Sequence, residues 1–313
     1  MTDVVTIGEV LVSVRQAGQW QIGAEPRLSL AGAEATVAIG LARLGHTVAW
    51  CGRVADDALG ALIVRTLRGE GVDVSCVQAA DGRANGAMFV DEPVPGSPVV
   101  AYARTGSAGA TLSLPDVVRA VELRPRVVVV SGVTLAIGPG PREAAFHAVW
   151  TARKQGATVV FAVNHRRRLW SDDEAKRTLA EIAPLVDVVV GSADEIAMIA
   201  DQDDPAAAAE GLAAQGVSEL VVTRGAGGAE SWIGGRPLRM AALPVVAVDP
   251  IGAGDAFVAG YVSALLDGAE AADRLAMGNR LGAFAVASRG DWEGLPTRSQ
   301  LRLIDEGRGD VSR

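Results

Sequence analysis

Cysteine, histidine and aromatic residues are scarce in this sequence. Among 313 residues there are two cysteines, three histidines and 4% aromatic side chains. Cys51 and Cys76 are too few for a disulfide framework, and neither lies beside a histidine or another cysteine at metal-ligand spacing. We therefore expect two buried, apolar thiols rather than a disulfide-rich or zinc-dependent protein.

Long apolar runs and an excess of positive charge are also missing. The longest apolar stretches, such as residues 127–130, are far too short to span a bilayer. The N-terminus lacks the basic start and apolar core of a signal peptide. The net charge is −8, and the one basic cluster, residues 165–168, is short, whereas nucleic-acid binding needs a basic face. We expect a cytoplasmic protein without membrane or nucleic-acid partners.

The sequence is rich in short apolar segments that alternate between strand and helix patterns. Hydrophobic residues make up 49% of the chain, which is enough for a large core in a single domain over residues 1–313. Strands separated by helices and apolar on both faces indicate a mostly parallel sheet covered on two sides. The predicted strands are residues 4–8, 47–54, 127–130, 158–163, 187–190 and 219–223. The predicted helices are residues 34–44, 58–69, 142–155, 172–182, 255–266 and 271–288.

Two regions interrupt this alternation. Residues 86–92 and 98–104 are extended segments joined by a Pro/Gly turn at residues 93–97, which predicts a β-hairpin. Residues 10–13 and 20–22 are further candidate strands. Together, the segments near 10–28 and 86–104 predict a small sheet that projects from the body and covers a cleft. A surface excursion without function is the alternative.

The most informative motif lies at residues 249–257. Gly252, Ala253 and Gly254 lead into Asp255, which opens an apolar helical run. Such a loop lets backbone N–H groups surround a phosphate, and the helix behind it adds the positive end of its dipole. A carboxylate at the mouth of an anion site can take a proton from an alcohol. The alternative is that Asp255 is an ordinary helix N-cap.

The order of these segments resembles the ribokinase (PfkB) family of carbohydrate kinases, and within it the 2-keto-3-deoxygluconate kinases. Residues 252–255 match the anion-hole and catalytic-base signature, and residues 31–38 with 42–45 match the N-terminal signature. The resemblance extends over residues 4–297. It implies a ribokinase-like three-layer α/β sandwich with a small projecting β-sheet lid.

The resemblance also implies a reaction and its cofactors. The reaction is ATP-dependent phosphorylation of a primary hydroxyl of a small sugar acid, most closely 2-keto-3-deoxygluconate, with Asp255 as the base and the backbone of Gly252, Ala253 and Gly254 as the anion hole. Glu195 would organise Mg²⁺ through water; a carboxylate in the first turn of a helix is its other interpretation. Asp249 is a candidate ligand of a monovalent cation such as K⁺.

The nucleotide and acceptor sites are assigned by the same resemblance. The glycine-rich loop after residue 223 equally fits a hairpin turn, and Asn279 equally fits a packed, hydrogen-bonded residue. Arg166 would bind the substrate carboxylate with its planar fork, and Arg104 would be a second contact. The implied nucleotide-binding residues are Ser192, Thr223, Gly225, Gly228, Gly254 and Asn279. The implied substrate-binding residues are Gly32, Thr36, Tyr102, Arg104, Arg166 and Asp255.

Four positions depart from the family pattern. Thr36 replaces an Asn that contacts sugar hydroxyls, Ala162 replaces an Asp of the acceptor segment, and Met88 stands near a frequent Tyr. Pro250 replaces a frequent Thr and removes one N–H donor. Because Asp255 and the glycines beside it are unchanged, we expect intact phosphoryl transfer and a modified sugar pocket.

Two other functions fit the sequence. One is a kinase for a neutral ketose such as fructose or for another sugar; the other is a non-catalytic sugar- or nucleotide-binding sensor. The lid carries apolar residues such as Phe89, Val90 and Val99. Since relatives often pair through the lid, we expect a homodimer. Arg167 and Arg168 are expected to be solvated surface residues.

Overall fold

The chain builds two sheets of different size, with helices around the larger one. The structure is a computed structural model that describes residues 2–94, 97–200, 202 and 204–306. The strands, in chain order, are β1 Val4–Ile7, β2 Leu11–Arg15, β3 Arg27–Ala31, β4 Val48–Ala55, β5 Val77–Ala80, β6 Gly86–Val94, β7 Ser97–Ala103, β8 Val127–Ser131, β9 Thr158–Ala162, β10 Val188–Ser192, β11 Glu219–Thr223, β12 Ala229–Ile233 and β13 Arg236–Met240. The α-helices are α1 Ala33–Arg43, α2 Ala58–Gly69, α3 Leu114–Glu122, α4 Gly132–Ala136, α5 Pro139–Lys154, α6 Asp172–Ile182, α7 Ala193–Ala200, α8 Pro205–Ala214, α9 Ala253–Leu266, α10 Ala271–Val286 and α11 Arg298–Glu306.

The central sheet has the strand order β13-β12-β11-β10-β9-β8-β1-β4-β5. Its pairs from β5 to β11 are parallel, and β12 and β13 add antiparallel strands at one edge. The strands are apolar on both faces because helices cover both: in β1, Val4 packs into one core cluster and Val5 into another. The predicted, mostly parallel sheet is confirmed.

The two core clusters lie on opposite faces of this sheet. One joins the sheet to α1, α2, α9 and α10 through residues such as Ile39 and Phe257. The other joins it to α3, α5, α6 and α8 through residues such as Val149 and Leu179. The three-layer sandwich predicted from the sequence is therefore confirmed.

The lid is a separate four-stranded sheet with the order β3-β2-β6-β7. The β6–β7 hairpin agrees with the prediction, although β2 and β6 pair in parallel. The predicted strand at residues 20–22 is wrong: β3, Arg27–Ala31, takes its place beside β2. Ile22 is fully exposed in a turn before Gly23, so this apolar stretch pairs with no strand in the described chain. Pro95 and Gly96, in the predicted turn, lie outside the described residues.

The helix of the central motif begins earlier than predicted. Helix α9 starts at Ala253, and Gly252 is its N-cap residue in a left-handed conformation, with φ at 80°. Asp255 therefore lies in the first turn, and the alternative that it is the N-cap is wrong. This position frees its carboxylate from capping the helix.

Candidate active site

Residues at the carboxyl ends of the parallel strands meet the first turn of α9 at one edge of the central sheet. Asn164 follows β9, Ser192 ends β10 and Thr223 ends β11. These residues and Asp255 line one cavity. Ligands of open parallel sheets bind outside this edge, so the fold itself points to this cavity as the site.

Asp255 is held in one orientation by the loop after β9. Its side chain is buried, with 8% of the residue exposed, and its Oδ1 accepts a hydrogen bond from Asn164 Nδ2 at 2.8 Å. Arg166 Nη2 donates to Asn164 Oδ1 at 2.8 Å and orients the amide. Asn164 has φ at 44°, a conformation that Asn tolerates better than most residues. Oδ2 of Asp255 accepts no hydrogen bond within the described chain, so it is available to a substrate hydroxyl.

Burial raises the pKa of the Asp255 carboxyl. The positive charge of Arg166 and the Asn164 hydrogen bond lower it, and the neighbouring Glu195 carboxylate raises it further. A carboxylate with a raised pKa is a stronger base as long as it is ionised at the working pH. The environment of Asp255 is therefore suited to accepting a proton from an alcohol.

Residues 252–255, which form the entry to α9 and which we name the anion loop, present unpaired N–H groups to the cavity. Those of Gly252, Gly254 and Asp255 have no acceptor among the described residues, and that of Ala253 donates to the Pro250 carbonyl at a long 3.4 Å. A side chain at Gly252 would place its Cβ 2.3 Å from the carbonyl oxygen of Asp291, so only glycine fits there. Free donors at a helix N-terminus bind anions such as phosphate.

Asp255 stands between two cavities. The smaller, of about 60 Å³, lies under the lid and is lined by Gly32, Met88 and Arg104. The larger, of about 420 Å³, opens over the ends of β9, β10 and β11. Both are lined by Tyr102, Arg166, Ile251, Gly252 and Asp255. The carboxylate thus faces two spaces that meet beside the anion loop, and we name them the acceptor and the donor cavity.

Arg104, a predicted carboxylate contact, lies in the acceptor cavity but is already paired. It donates to the buried carboxylate of Glu9, which also accepts a hydrogen bond from Ser107. Its guanidinium lies 5.7 Å from the centre of the Tyr102 ring. Arg166, by contrast, is exposed and donates only to Asn164 within the described chain. Arg166 is therefore the arginine of this cavity that forms no direct ion pair with a carboxylate among the described residues.

Arg167 and Arg168 were both predicted to be solvated surface residues, but Arg168 also contacts the lid. Arg167 is largely exposed and lies 3.6 Å from Asp172. Arg168 is exposed, but its Nη1 donates to the Val100 carbonyl of the lid at 2.9 Å. Arg168 therefore ties the loop after β9 to the lid.

The N-terminal signature contributes backbone more than side chains to the acceptor cavity. Gly32 has φ at 137°, and a Cβ there would lie 2.4 Å from the Glu9 carbonyl oxygen, which explains the glycine. Thr36, a predicted substrate contact, is buried in α1, and its hydroxyl has no partner in the described residues. It is not among the residues that line the cavity, whereas Met88 is.

Glu195 joins two loops of the donor cavity. Its Oε1 accepts from the His165 N–H at 2.7 Å and its Oε2 from the Ser192 N–H at 2.8 Å. Each oxygen keeps one lone pair, so the carboxylate suits a water-mediated contact with Mg²⁺. No cluster of three or more His, Cys, Asp or Glu in the described chain could hold a metal ion. A Mg²⁺ here would take its other ligands from phosphates and water, as it commonly does.

The predicted nucleotide residues separate into two groups. Ser192, Thr223 and Gly254 line the donor cavity. Gly225 and Gly228 lie beyond it, and Gly228 is explained by packing, since a Cβ would lie 2.1 Å from the Met240 carbonyl oxygen. Asn279 Nδ2 donates to the carbonyls of Met240 and Ala241, both at 3.1 Å. This is the packed, hydrogen-bonded arrangement that the sequence left as one of two interpretations.

Asp249, the candidate ligand of a monovalent cation, is already paired with a cationic side chain. Its Oδ2 accepts from Arg15 Nη1 at 2.6 Å and from the Gly290 N–H at 3.3 Å, and its Oδ1 accepts from the Ile251 N–H at 3.0 Å. Arg15 also donates to Asp291 at 2.8 Å. Because the Arg15 guanidinium already lies against this carboxylate, a second cation such as K⁺ would be repelled, and the surroundings of Asp249 do not favour it.

Several residues of the site were not assigned from the sequence. They include the orienting Asn164 and the ion-paired Arg15, Asp291 and Glu9. Glu34 is buried beside them; its Oε1 accepts from Ser131 and Thr134, both at 2.6 Å, and burial raises its pKa. The available signal was a charged residue within an otherwise apolar segment, as at Glu9 and Glu34.

None of the helices in the described part of the chain is both long and apolar enough to cross a membrane.

Comparison with known proteins agrees with this geometry. Residues 1–298 match the family described as pfkB family carbohydrate kinase. The chain is 35% identical to a 2-dehydro-3-deoxygluconokinase of Thermoproteus tenax, over 95% of this chain and 92% of the relative. It is 32% identical to the enzyme of that name in Bacillus subtilis, over 90% of each. It is 34% identical to a fructokinase of Escherichia coli, over 86% of this chain and 90% of the relative.

Solved structures show the same fold. A PfkB protein from Polaromonas sp. JS666 superposes with a TM-score of 0.87 at 32% identity, covering 96% of this chain and 99% of that one. A putative ribokinase II from E. coli, in complex with ATP and Mg²⁺, superposes with a TM-score of 0.89 at 25% identity, covering 98% and 99%. The chain therefore belongs to the pfkB family of carbohydrate kinases and is a sugar kinase.

Proposed function

We propose that this kinase transfers the γ-phosphoryl group of ATP to a primary hydroxyl of a small sugar acid, with 2-keto-3-deoxygluconate as the acceptor. The observation that carries the reaction is the position of Asp255 between the acceptor and donor cavities, beside unpaired N–H groups. The acceptor is supported by Arg166 and by two relatives that bear the name 2-dehydro-3-deoxygluconokinase.

The residues of the site divide the work of phosphoryl transfer. The acceptor hydroxyl lies against Oδ2 of Asp255, which takes its proton as the oxygen bonds to the γ-phosphorus and the bond to the ADP oxygen breaks. Asn164 keeps Oδ1 occupied and so fixes which oxygen faces the substrate. The N–H groups of Gly252, Gly254 and Asp255 donate to the transferring phosphoryl oxygens.

The nucleotide and the metal would bind in the donor cavity, across Asp255 from the acceptor cavity. Thr223, Ser192 and Gly254 line the donor cavity, which would accommodate the phosphates of ATP. Glu195 would hold Mg²⁺ through water, and the ion would supply positive charge to the phosphates. The Glu195 contacts to the His165 and Ser192 N–H groups keep the carboxylate in place.

The preference for an acid rests on Arg166. Arg104 is neutralised by Glu9, and Asp291 by Arg15, whereas Arg166 has no direct ion pair among the described residues and can bind a substrate carboxylate. A planar guanidinium can bind both oxygens of a carboxylate. A neutral ketose would leave this fork without an anionic partner.

A panel of acceptors tests the proposal. ADP release is measured with 2-keto-3-deoxygluconate, other sugar acids, fructose and other neutral sugars, using wild type, Arg166→Met and the matched control Arg167→Met. We expect the acid to be the best substrate and Arg166→Met to raise its KM about 10- to 100-fold, the loss of a charged hydrogen bond, while Arg167→Met leaves it unchanged. A preference for fructose with no effect of Arg166→Met would contradict the acid assignment.

A neutral ketose is the second candidate, because a fructokinase of E. coli is 34% identical over most of both chains. The two candidates differ in the expected effect of Arg166→Met. If the acceptor is fructose, this substitution should leave the KM for fructose nearly unchanged. A third outcome concerns catalysis itself. If calorimetry shows that ATP and an acceptor sugar both bind, and no phosphorylated product forms, the sugar-kinase reaction is refuted.

A further inference from the structure

A largely buried arginine of the lid reaches the segments that surround the anion loop. Arg15, the last residue of β2, has a side chain only 13% exposed. Its Nη1 donates to Asp249 at 2.6 Å and its Nη2 to Asp291 at 2.8 Å. These carboxylates are buried, and they come from two chain segments 42 residues apart in number, residues 249 and 291. The guanidinium is thus a fixed cation between them.

Both carboxylates are coupled to the anion loop. Asp249 Oδ1 accepts from the Ile251 N–H at 3.0 Å and so shapes the turn that enters Gly252. The backbone of Asp291 packs against Gly252 so closely that a Cβ there would lie 2.3 Å from the Asp291 oxygen. Any loosening of the two segments would therefore move the N–H groups that face the phosphoryl group.

The described contacts of Asp249 disfavour a free monovalent cation. The carboxylate already accepts from Arg15 and from the N–H groups of Ile251 and Gly290. A second positive charge beside a buried guanidinium would be repelled at short range. The guanidinium already supplies the positive charge that holds Asp249 near Asp291.

We propose that Arg15 acts as a built-in cation that positions the anion loop, so that this kinase works without a monovalent cation. Arg15 is a positioning residue, because it acts through Asp249 and Asp291 and is not among the residues lining either cavity beside Asp255. This inference rests on the proposed kinase function and concerns how the anion loop is held in place.

The first test uses the wild-type enzyme. Initial rates are measured with ATP, Mg²⁺ and the best acceptor in KCl and in N-methylglucamine chloride, both at about 0.1 M so that charge screening is equal. We expect kcat to differ by no more than about twofold, because the two salts screen charge equally and the wild type needs neither of their cations. Stimulation several-fold by K⁺ overturns the inference while leaving the kinase function intact. No product with any acceptor in either salt overturns the function instead.

The second test removes the guanidinium. Arg15→Met leaves Asp249 and Asp291 without their cation, so kcat in N-methylglucamine chloride should fall about 100-fold through misplacement of the anion loop. K⁺ should then restore part of the rate, and Arg15→Lys should keep activity in both salts. Arg27→Met is the matched control, because Arg27 lies beside Arg15 on the lid but is 67% exposed. It should behave as wild type.

Thermal unfolding provides a readout that does not need turnover. A cation that binds only the folded Arg15→Met protein should raise its melting temperature with KCl concentration relative to N-methylglucamine chloride. Wild type, Arg15→Lys and Arg27→Met should show no such difference. A wild-type melting temperature that rises specifically with K⁺, or an Arg15→Met protein that folds and is indifferent to K⁺ in both rate and melting, would refute the role of Arg15.

Discussion

Asp255 differs from Glu9 and Asp291, the other acidic residues that line the acceptor cavity, because it has no arginine in a direct ion pair. Asp291 is paired with Arg15 and Glu9 with Arg104, whereas Asp255 receives a neutral amide hydrogen bond. Burial raises the pKa of Asp255 and also raises that of Asp291, to about 7, although the charge of Arg15 lowers the pKa of Asp291. Asp291 lines only the acceptor cavity and is bound to Arg15, so Asp255 is the candidate base that both cavities share.

Replacing Asp255 by Asn tests this role. The amide keeps the shape of the side chain but cannot take a proton, so we expect turnover to fall by roughly 10²- to 10⁴-fold. Nucleotide binding, followed by calorimetry, should be retained because the backbone donors stay in place. A near-normal turnover, in a variant confirmed to be free of wild-type enzyme, would show that another group is the base.

The pH profile tests the electrostatics of the same residue. The ionised form is the active one and burial raises its pKa, so kcat/KM should fall on the acid side at a pH above that of an exposed aspartate. The Asn164 hydrogen bond lowers this pKa. Asn164→Ala should therefore move the acid limb to higher pH, as followed by kcat/KM over a pH series. A limb that stays in place would disconnect Asn164 from the base.

At the scale of elements, the side chains of the lid strands alternate between residues that line the acceptor cavity and residues that face outward. Tyr102 of β7 lies opposite Met88 of β6, and both line the acceptor cavity. One residue away, Phe89 lies opposite Ala101 and faces outward. Because successive side chains point to opposite faces, one sheet both closes the acceptor cavity and presents an apolar outer surface.

The sequence predicted the bounds of helices and strands well where buried apolar residues set them. It predicted them less well where the geometry of a turn sets them. The strand at 219–223 and the helix at 172–182 agree with the structure at both ends, because their apolar spacing is regular. The start of α9 was missed because a left-handed glycine, not a polar N-cap, begins it. The stretch 20–22 was wrong because two apolar residues do not show whether a partner strand exists.

Gly252 should be intolerant of a side chain. In Gly252→Ala the residue would keep a positive φ and meet the Asp291 carbonyl, which costs at least about 1–2 kcal/mol of unfolding free energy. Gly254 is the matched control: nothing lies within 4 Å of its Cβ position, and it is helical. Gly254→Ala should melt at or above the wild-type temperature. Equal melting temperatures for wild type and Gly252→Ala would contradict the strain.

At the scale of the whole molecule, the site is assembled by contacts between residues far apart in sequence. Arg15 meets Asp249 and Asp291, and Arg104 meets Glu9. No local pattern encodes such pairs, since a segment shows its own charged residue but not the distant residue that pairs with it. The central motif and Arg166 were found because each lies in one short segment, whereas these pairs appear only once the lid is placed on the body.

The outer face of the lid leads to the prediction of a homodimer. Leu28 and Phe89 flank Val14 across three strands, and Trp20 packs edge-to-face on Phe89 at 6.3 Å, which leaves apolar area facing solvent. Such patches mark interfaces, so a second copy should cover it. Light scattering at micromolar concentration should give a dimer for wild type and for the control Trp150→Glu, an exposed aromatic on α5. It should give a monomer for Phe89→Glu, because burying an unpaired carboxylate is costly. A monomeric wild type would contradict the prediction, since no second copy would then cover the outer face of the lid.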